Sequence, residues 1–204
     1  MKTYSVRRAS SGDLQWSLAT TLSDFAFPWQ QDEAPLTEFR ALHDDTSLHF
    51  RFDCHDQDLV LAAGDTSKDR VTGSDRVELF VTPDLALDPY YCLELDPRGE
   101  VLAYRCRTYR QFDWSWQCEG LVVTAGIDVE RHRYWVQAQL PLATLQALGV
   151  LKPGSRDLYA GVYRAEFSHL PDGSIHFGWL PWVDPHTEKP DFHVPGSFGR
   201  FELA

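Results

Sequence analysis

The stretch Ser74-Asp75-Arg76-Val77-Glu78-Leu79-Phe80-Val81 constrains this chain more than any other. Val77, Leu79 and Val81 alternate with Arg76, Glu78 and Phe80, and a period of two specifies a strand with an aliphatic face and a mixed face. Asp75 and Glu78, three apart ahead of an apolar run, also have the spacing of a helix capping box. The β-branched Val77 and Val81 favour a pleat instead, and Thr82-Pro83 stops the run after one strand length. Glu78 is therefore expected in mid-strand on the mixed face. A carboxylate there is either solvated on an open sheet or fixed in a pocket by partners.

The same alternation recurs along the chain. Residues 37 to 43 are predicted as a strand, Asp44-Asp45-Thr46-Ser47 as a turn, and Leu48, Phe50, Phe52 and Cys54 as the apolar face of the returning strand. One strand and an irregular lead-in are predicted within residues 4–31, and strands over residues 90–96 and 101–110 about the turn Pro97-Arg98-Gly99-Glu100, and over 121–129 and 133–140. The last three are 158–167, 175–180 and 198–203. Residues 56–73, 111–120 and 182–196 read as loops. Pro141 at a first turn and Gly149 at an end bracket one short helix near 141–148. About ten strands spaced by turn signals predict an all-β fold, a jelly-roll-like antiparallel β-sandwich, with residues 1–204 as one domain.

Composition narrows the partners. The 204 residues carry a net charge of −11, which disfavours nucleic acid and anionic membranes, since both demand clustered Lys and Arg. No run reaches the roughly 18 apolar residues of a membrane-spanning helix. No apolar segment of a secretory signal follows Met1–Arg8, so a cytoplasmic location is expected. The cysteines Cys54, Cys92, Cys106 and Cys118 form no C-x-x-C pair and are expected as buried reduced thiols.

Three constellations bear on chemistry. Glu78, Glu94, Arg105 and Arg164 interrupt otherwise apolar strands; on one concave face they would offer planar hydrogen-bonding groups to sugar hydroxyls, and otherwise they line a solvated sheet. Trp114, Trp116, Trp179 and Trp182 lie in or beside loops, where an indole either stacks on a sugar ring or packs a sandwich edge. Asp53, Asp56 and Asp58 form an oxygen-rich segment that is either a calcium site or a set of solvated turn acids. Nucleophile-elbow, P-loop, dinucleotide and H-E-x-x-H signatures are absent from the sequence. The remaining catalytic option is a glycosidase pair such as Glu78 and Glu94.

Residues 74–81 resemble the D-S-V-E-[IL]-F strand of family 9 carbohydrate-binding modules, within the wider DOMON-like group of sandwiches. Other segments follow in the family's order. Residues 37–52 are similar to its opening hairpin, and 91–99 to its aromatic strand ending x-P-x-G. Residues 134–141 are similar to W-x-x-E-x-x-I-P, 161–164 to N-x-x-R, and Phe192-His193-Val194-Pro195-Gly196-Ser197-Phe198-Gly199 to its closing F-H-x-P-x-x-F-G. The resemblance implies non-catalytic binding of a small carbohydrate between two tryptophans, with calcium in structural sites. Glu78 matches the glutamate that bonds the sugar's hydroxyls, and Trp179 and Trp182 are candidates for the second stacking ring. Glu94 stands where the family places an arginine. Residues 69–73, where the first tryptophan is expected, read Asp-Arg-Val-Thr-Gly. The alternative reading is an intracellular module that kept the sandwich for a protein partner.

Overall fold

The computed structural model describes residues 1–10 and 14–204. Alternation builds its interior directly. Phe39 and Ala41 of β2 (Thr37–His43), Phe50 and Phe52 of β3 (Ser47–His55), and Val136 and Ala138 of β9 (Arg133–Pro141) all turn to one side and are buried. They meet Val77, Leu79 and Val81 of β4 (Arg76–Thr82) and Leu93 and Leu95 of β5 (Tyr90–Leu95) in a single core. The other strands are β1 (Thr3–Arg8), β6 (Val101–Cys106), β7 (Phe112–Asp113), β8 (Val122–Asp128), β10 (Asp157–His169), β11 (Ile175–Pro181) and β12 (Gly199–Leu203). Among the described residues there are two short α-helices, α1 (Ser67–Thr72) and α2 (Leu142–Ala147), and three single 3-10 turns.

The first sheet runs β7-β6-β5-β4-β10-β12-β1, with β11 paired to the far half of β10. The second runs β1-β2-β3-β9-β8. β1 belongs to both: Thr3–Val6 pair with β12 and Arg7–Arg8 with β2, each time in parallel. The expected antiparallel sandwich is thus present with one parallel seam. β1 is joined to β2 and β12 by long connections, so no hairpin forces it antiparallel.

Several expectations need correction. Residues 56–73 are not all loop, because Thr66 accepts a hydrogen bond from the Asp69 amide and starts α1. The strand predicted over 101–110 stops at Cys106, where the chain folds back and Phe112–Asp113 pair with it, so residues 111–120 are not all loop and the described strands number twelve rather than about ten. Cys54, Cys92 and Cys106 are buried free thiols, as expected, whereas Cys118 is only partly buried. The predicted helix is α2, and Gly149 behind it has φ +72°, the left-handed turn that glycine adopts without strain.

The first sheet is buried on both faces. Its outer face carries Phe80, Tyr90, Cys92, Tyr104 and Tyr163, covered by Phe192 and Phe198 from the segment between β11 and β12. Tyr163 stacks on Phe192 at 4.1 Å, and its hydroxyl meets Ser197 Oγ at 2.8 Å. Gly161 makes room for this, because a Cβ there would fall 1.9 Å from that hydroxyl. Glu78 thus lies beneath a lid of chain rather than on a wet sheet.

Candidate functional site

β4 and β5 pair so that Glu78 stands directly opposite Glu94 on the outer face. Arg76, two residues before Glu78, shares that face. Its Nε lies 2.9 Å from Glu78 Oε1 and 2.7 Å from Glu94 Oε2. Arg76, Glu78 and Glu94 are only 5%, 2% and 6% exposed. Neither contact has hydrogen-bond alignment, so these three buried atoms are charge-paired but have no hydrogen-bond partner within the protein. Tyr104 donates its hydroxyl to the other oxygen of Glu94, Oε1, at 2.7 Å, and Arg76 Nη1 donates to the Thr72 carbonyl at 3.2 Å.

These groups border a cleft of about 270 Å³ lined also by Arg110, Trp179, Pro190, Phe192 and His193. The Trp179 ring lies 5.3 Å from Arg76 Cζ and is set perpendicular to Phe192 at 5.9 Å. At the rim, Asp191 accepts from Arg110 at 3.1 Å and from Tyr109 at 2.7 Å.

Burial, followed by the Glu94 charge, pushes the Glu78 carboxyl up to about 8, with Arg76 only partly offsetting them. Two buried carboxyls share one guanidinium, so the pair holds on to a proton more firmly than free carboxylates do. A ligand would meet a carboxyl O–H, carboxylate oxygens and guanidinium N–H groups together, with an indole face alongside. That combination suits a polyol, whose hydroxyls both donate and accept.

The other expected site residues disperse. Trp114 packs on Tyr104 at 4.7 Å and on Phe112 at 4.8 Å, with Lys68 Nζ 3.9 Å from its ring, outside the cleft lining. Trp116 packs on Tyr91, on the other face of β5. Arg105 is cross-strand from Tyr91 and pairs with Asp113 at 2.6 Å. Trp182 is 3% exposed between the sheets, against Tyr4 and Phe201. Arg164 faces the sandwich interior, away from Glu78.

Arg164 forms a second polar centre. It donates to Thr37 Oγ1 at 2.9 Å, the His55 carbonyl at 2.8 Å and Asp56 at 3.2 Å, and it also contacts Glu166. Asp75 joins this centre and accepts from the Val60 and Phe167 amides at 2.6 and 2.7 Å. Burial, followed by the charges of Asp56 and Glu166, pushes Asp75 up to about 8.

Asp53, Asp56 and Asp58 do not converge on a calcium ion. Asp53 is held by Arg40 and Arg51, Asp56 by Arg164, and Asp58 by His169. Asp56, Asp75 and Glu166 do approach within 4.8 Å. Arg164 already supplies positive charge among them, and backbone amides occupy both Asp75 oxygens. Calcium takes six to eight oxygens, and with Arg164 and these amides engaged the three carboxylates offer few of them.

Arg76, Arg110, Pro190, Phe192 and His193 are the cleft residues that sequence reasoning passed over. A signal existed for Arg76, because alternation sets it on the same face as Glu78.

Residues 10–204 match the family described as "Carbohydrate family 9 binding domain-like". A candidate carbohydrate-binding protein of Bacteroides uniformis shares the fold with a TM-score of 0.80 at 17% identity, over 100% of this chain and 99% of that one. A family 9 module of Caldicellulosiruptor kristjanssonii, solved with glucose, gives 0.66 at 14% identity, over 100% and 96%. The same organism's module with cellotriose gives 0.64 at 13%, over 99% and 93%. No curated protein sequence matches the chain.

Proposed function

Because the chain belongs to the carbohydrate family 9 binding domain-like family, we propose that it binds the terminal ring of a small neutral carbohydrate in the Arg76–Glu78–Glu94–Trp179 cleft, without turning it over. The observation that carries this reading is the trio of buried, unhydrogen-bonded atoms, Arg76 Nε, Glu78 Oε1 and Glu94 Oε2, beside an indole wall. These atoms pair by charge at 2.7–2.9 Å but make no aligned hydrogen bond, so their hydrogen-bonding capacity is open to a ligand, and sugar hydroxyls supply both donors and acceptors.

The cleft volume, about 270 Å³, falls just below the ~300–1,000 Å³ range of small-molecule pockets. That size suits one sugar ring with the rest of a chain left outside. Trp179 forms one wall, while Pro190, His193 and Arg110 border the remainder. Stacking is therefore one-sided here, not a sandwich between two indoles. Glu78 and Glu94 sit side by side on one wall, bridged by a single nitrogen, whereas a hydrolytic pair must flank the bond it cleaves. The whole chain acts as one binding domain. The glucose and cellotriose bound by the Caldicellulosiruptor modules make β-glucan ends the first ligands to try.

Titration calorimetry of the folded protein with glucose, cellobiose, cellotriose and xylobiose tests this. At least one is expected to bind, and Glu78→Gln is expected to weaken it while keeping the melting transition. A silent panel across neutral mono- to trisaccharides, or a Glu78→Gln variant that binds as wild type, overturns the reading.

A further inference from the structure

A second cluster lies next to the cleft and shares only His193 with its lining. Cys92 on β5, Cys106 on β6 and His193 in the segment before β12 place two sulfurs and one imidazole nitrogen within 4.8 Å of one another. Tyr90 pairs with Cys106 and Cys92 with Tyr104, so the two thiols are diagonal neighbours on one face of adjacent strands. Both thiols are fully buried, His193 is nearly so, and neither cysteine is in a disulfide. The imidazole is fixed: its Nδ1 is 2.9 Å from the Tyr90 hydroxyl, and Phe80 and Phe112 pack on the ring at 5.3 and 5.6 Å.

We propose that Cys92, Cys106 and His193 form a binding site for a single zinc ion. Two thiolates and an imidazole are the donors that zinc takes in a tetrahedral site, at about 2.3 Å for sulfur and 2.0–2.1 Å for nitrogen. Those bond lengths set the two sulfurs roughly 3.8 Å apart. Reaching that spacing from the present one requires side-chain movements of roughly an ångström or less. Charge decides among thiophilic cations. Two thiolates neutralise Zn²⁺, while Cu⁺ would leave a net negative charge among Phe80, Tyr104 and Tyr163, where burial makes it costly. Mg²⁺ and Ca²⁺ want oxygen donors, which the cluster lacks. The fourth position is left for water, and the Tyr90 hydroxyl, 2.9 Å from Nδ1, orients the ring so that Nε2 is the nitrogen left for the ion. An ion here would tie the segment carrying Phe192 and His193, one wall of the cleft, to β5 and β6.

The test is titration of metal-free, reduced protein with Co²⁺ alone under anaerobic conditions, followed by Zn²⁺. One equivalent of Co²⁺ is expected to produce thiolate-to-cobalt absorption in the near ultraviolet and tetrahedral bands in the visible, and one equivalent of Zn²⁺ to bleach both. Cys92→Ser and Cys106→Ser are each expected to lose at least half of the near-ultraviolet absorption, and Cys54→Ser and Cys118→Ser to keep it. His193→Gln, the ligand nearest the surface, is expected to weaken Zn²⁺ affinity by more than about 10-fold. Folded wild-type protein that takes up neither metal overturns the site, whatever the serine variants do. So does a near-ultraviolet band of undiminished intensity in Cys92→Ser or Cys106→Ser. Sugar calorimetry is read separately, so failure of the metal site leaves the carbohydrate reading standing, and the reverse.

Discussion

Glu78 and Glu94 face each other across β4 and β5, and each sets an oxygen against the same nitrogen, Arg76 Nε, at 2.9 and 2.7 Å. The arginine is the only cation in direct ion-pair contact with either acid among the described residues. Replacing it with an apolar side chain strands buried charge, which typically costs about 3–5 kcal/mol. Arg76→Met is expected to lose stability on that scale in urea unfolding at neutral pH. Arg76→Met/Glu78→Gln/Glu94→Gln is expected to regain most of it. A single variant as stable as wild type would show that the acids do not need their counter-charge.

The pH dependence of stability follows from Glu78. Its folded carboxyl titrates near 8, against an ordinary value of 4.5. Between those values the folded chain keeps a proton that the unfolded chain has released, so stability falls as pH rises through this window and is flat above it. Asp75, near 8, and Glu166, near 7, act in the same sense. Urea midpoints are expected to decline from pH 5 to 8, and Glu78→Gln to decline less steeply. A wild-type-to-variant difference that stays constant with pH would contradict this.

Trp179 and Trp182 separate binding from folding. Trp179 walls the cleft, whereas Trp182 is packed between the sheets. Trp179→Ala is expected to weaken sugar binding by roughly tenfold, the value of about 1–1.5 kcal/mol of aromatic contact, with a modest drop in melting temperature. Trp182→Ala is expected to cost about 3–5 kcal/mol of stability. Calorimetric titration and thermal melts of the two variants read both effects.

Arg164 provides the matching contrast to Arg76. It is fully buried on the other face of the sheet, bonded to Thr37, His55 and Asp56. Arg164→Met is expected to destabilise by about 3–5 kcal/mol, yet to leave sugar affinity unchanged at a temperature where the variant is folded. A loss of affinity without a loss of stability would move Arg164 into the site.

Much of this architecture is written locally. The strands around Phe50, Val77 and Val136 were legible because a pleat turns alternate side chains to opposite faces, and turn residues mark where it ends. The same periodicity placed Glu78 off the aliphatic face, and it set Arg76 beside Glu78 although the arginine was passed over. It failed where both faces are buried. In β10, Val162 and Tyr163 are both apolar, so nothing local says that Arg164 points inward and Tyr163 outward. The segment after Trp182 has no period at all, and its role as the cover over Phe80 and Tyr163 was invisible.

The amino-acid order by itself therefore determined the strands, their two-sidedness and the family pattern, because each depends on neighbours a few residues apart. Which polar groups share a cavity was decided only by the tertiary structure. Register brings Glu94 opposite Glu78, the hairpin of β10 and β11 delivers Trp179, and the segment before β12 closes over them. Those are contacts between residues 16 to more than 100 positions apart, and packing free energy, not local preference, selects them.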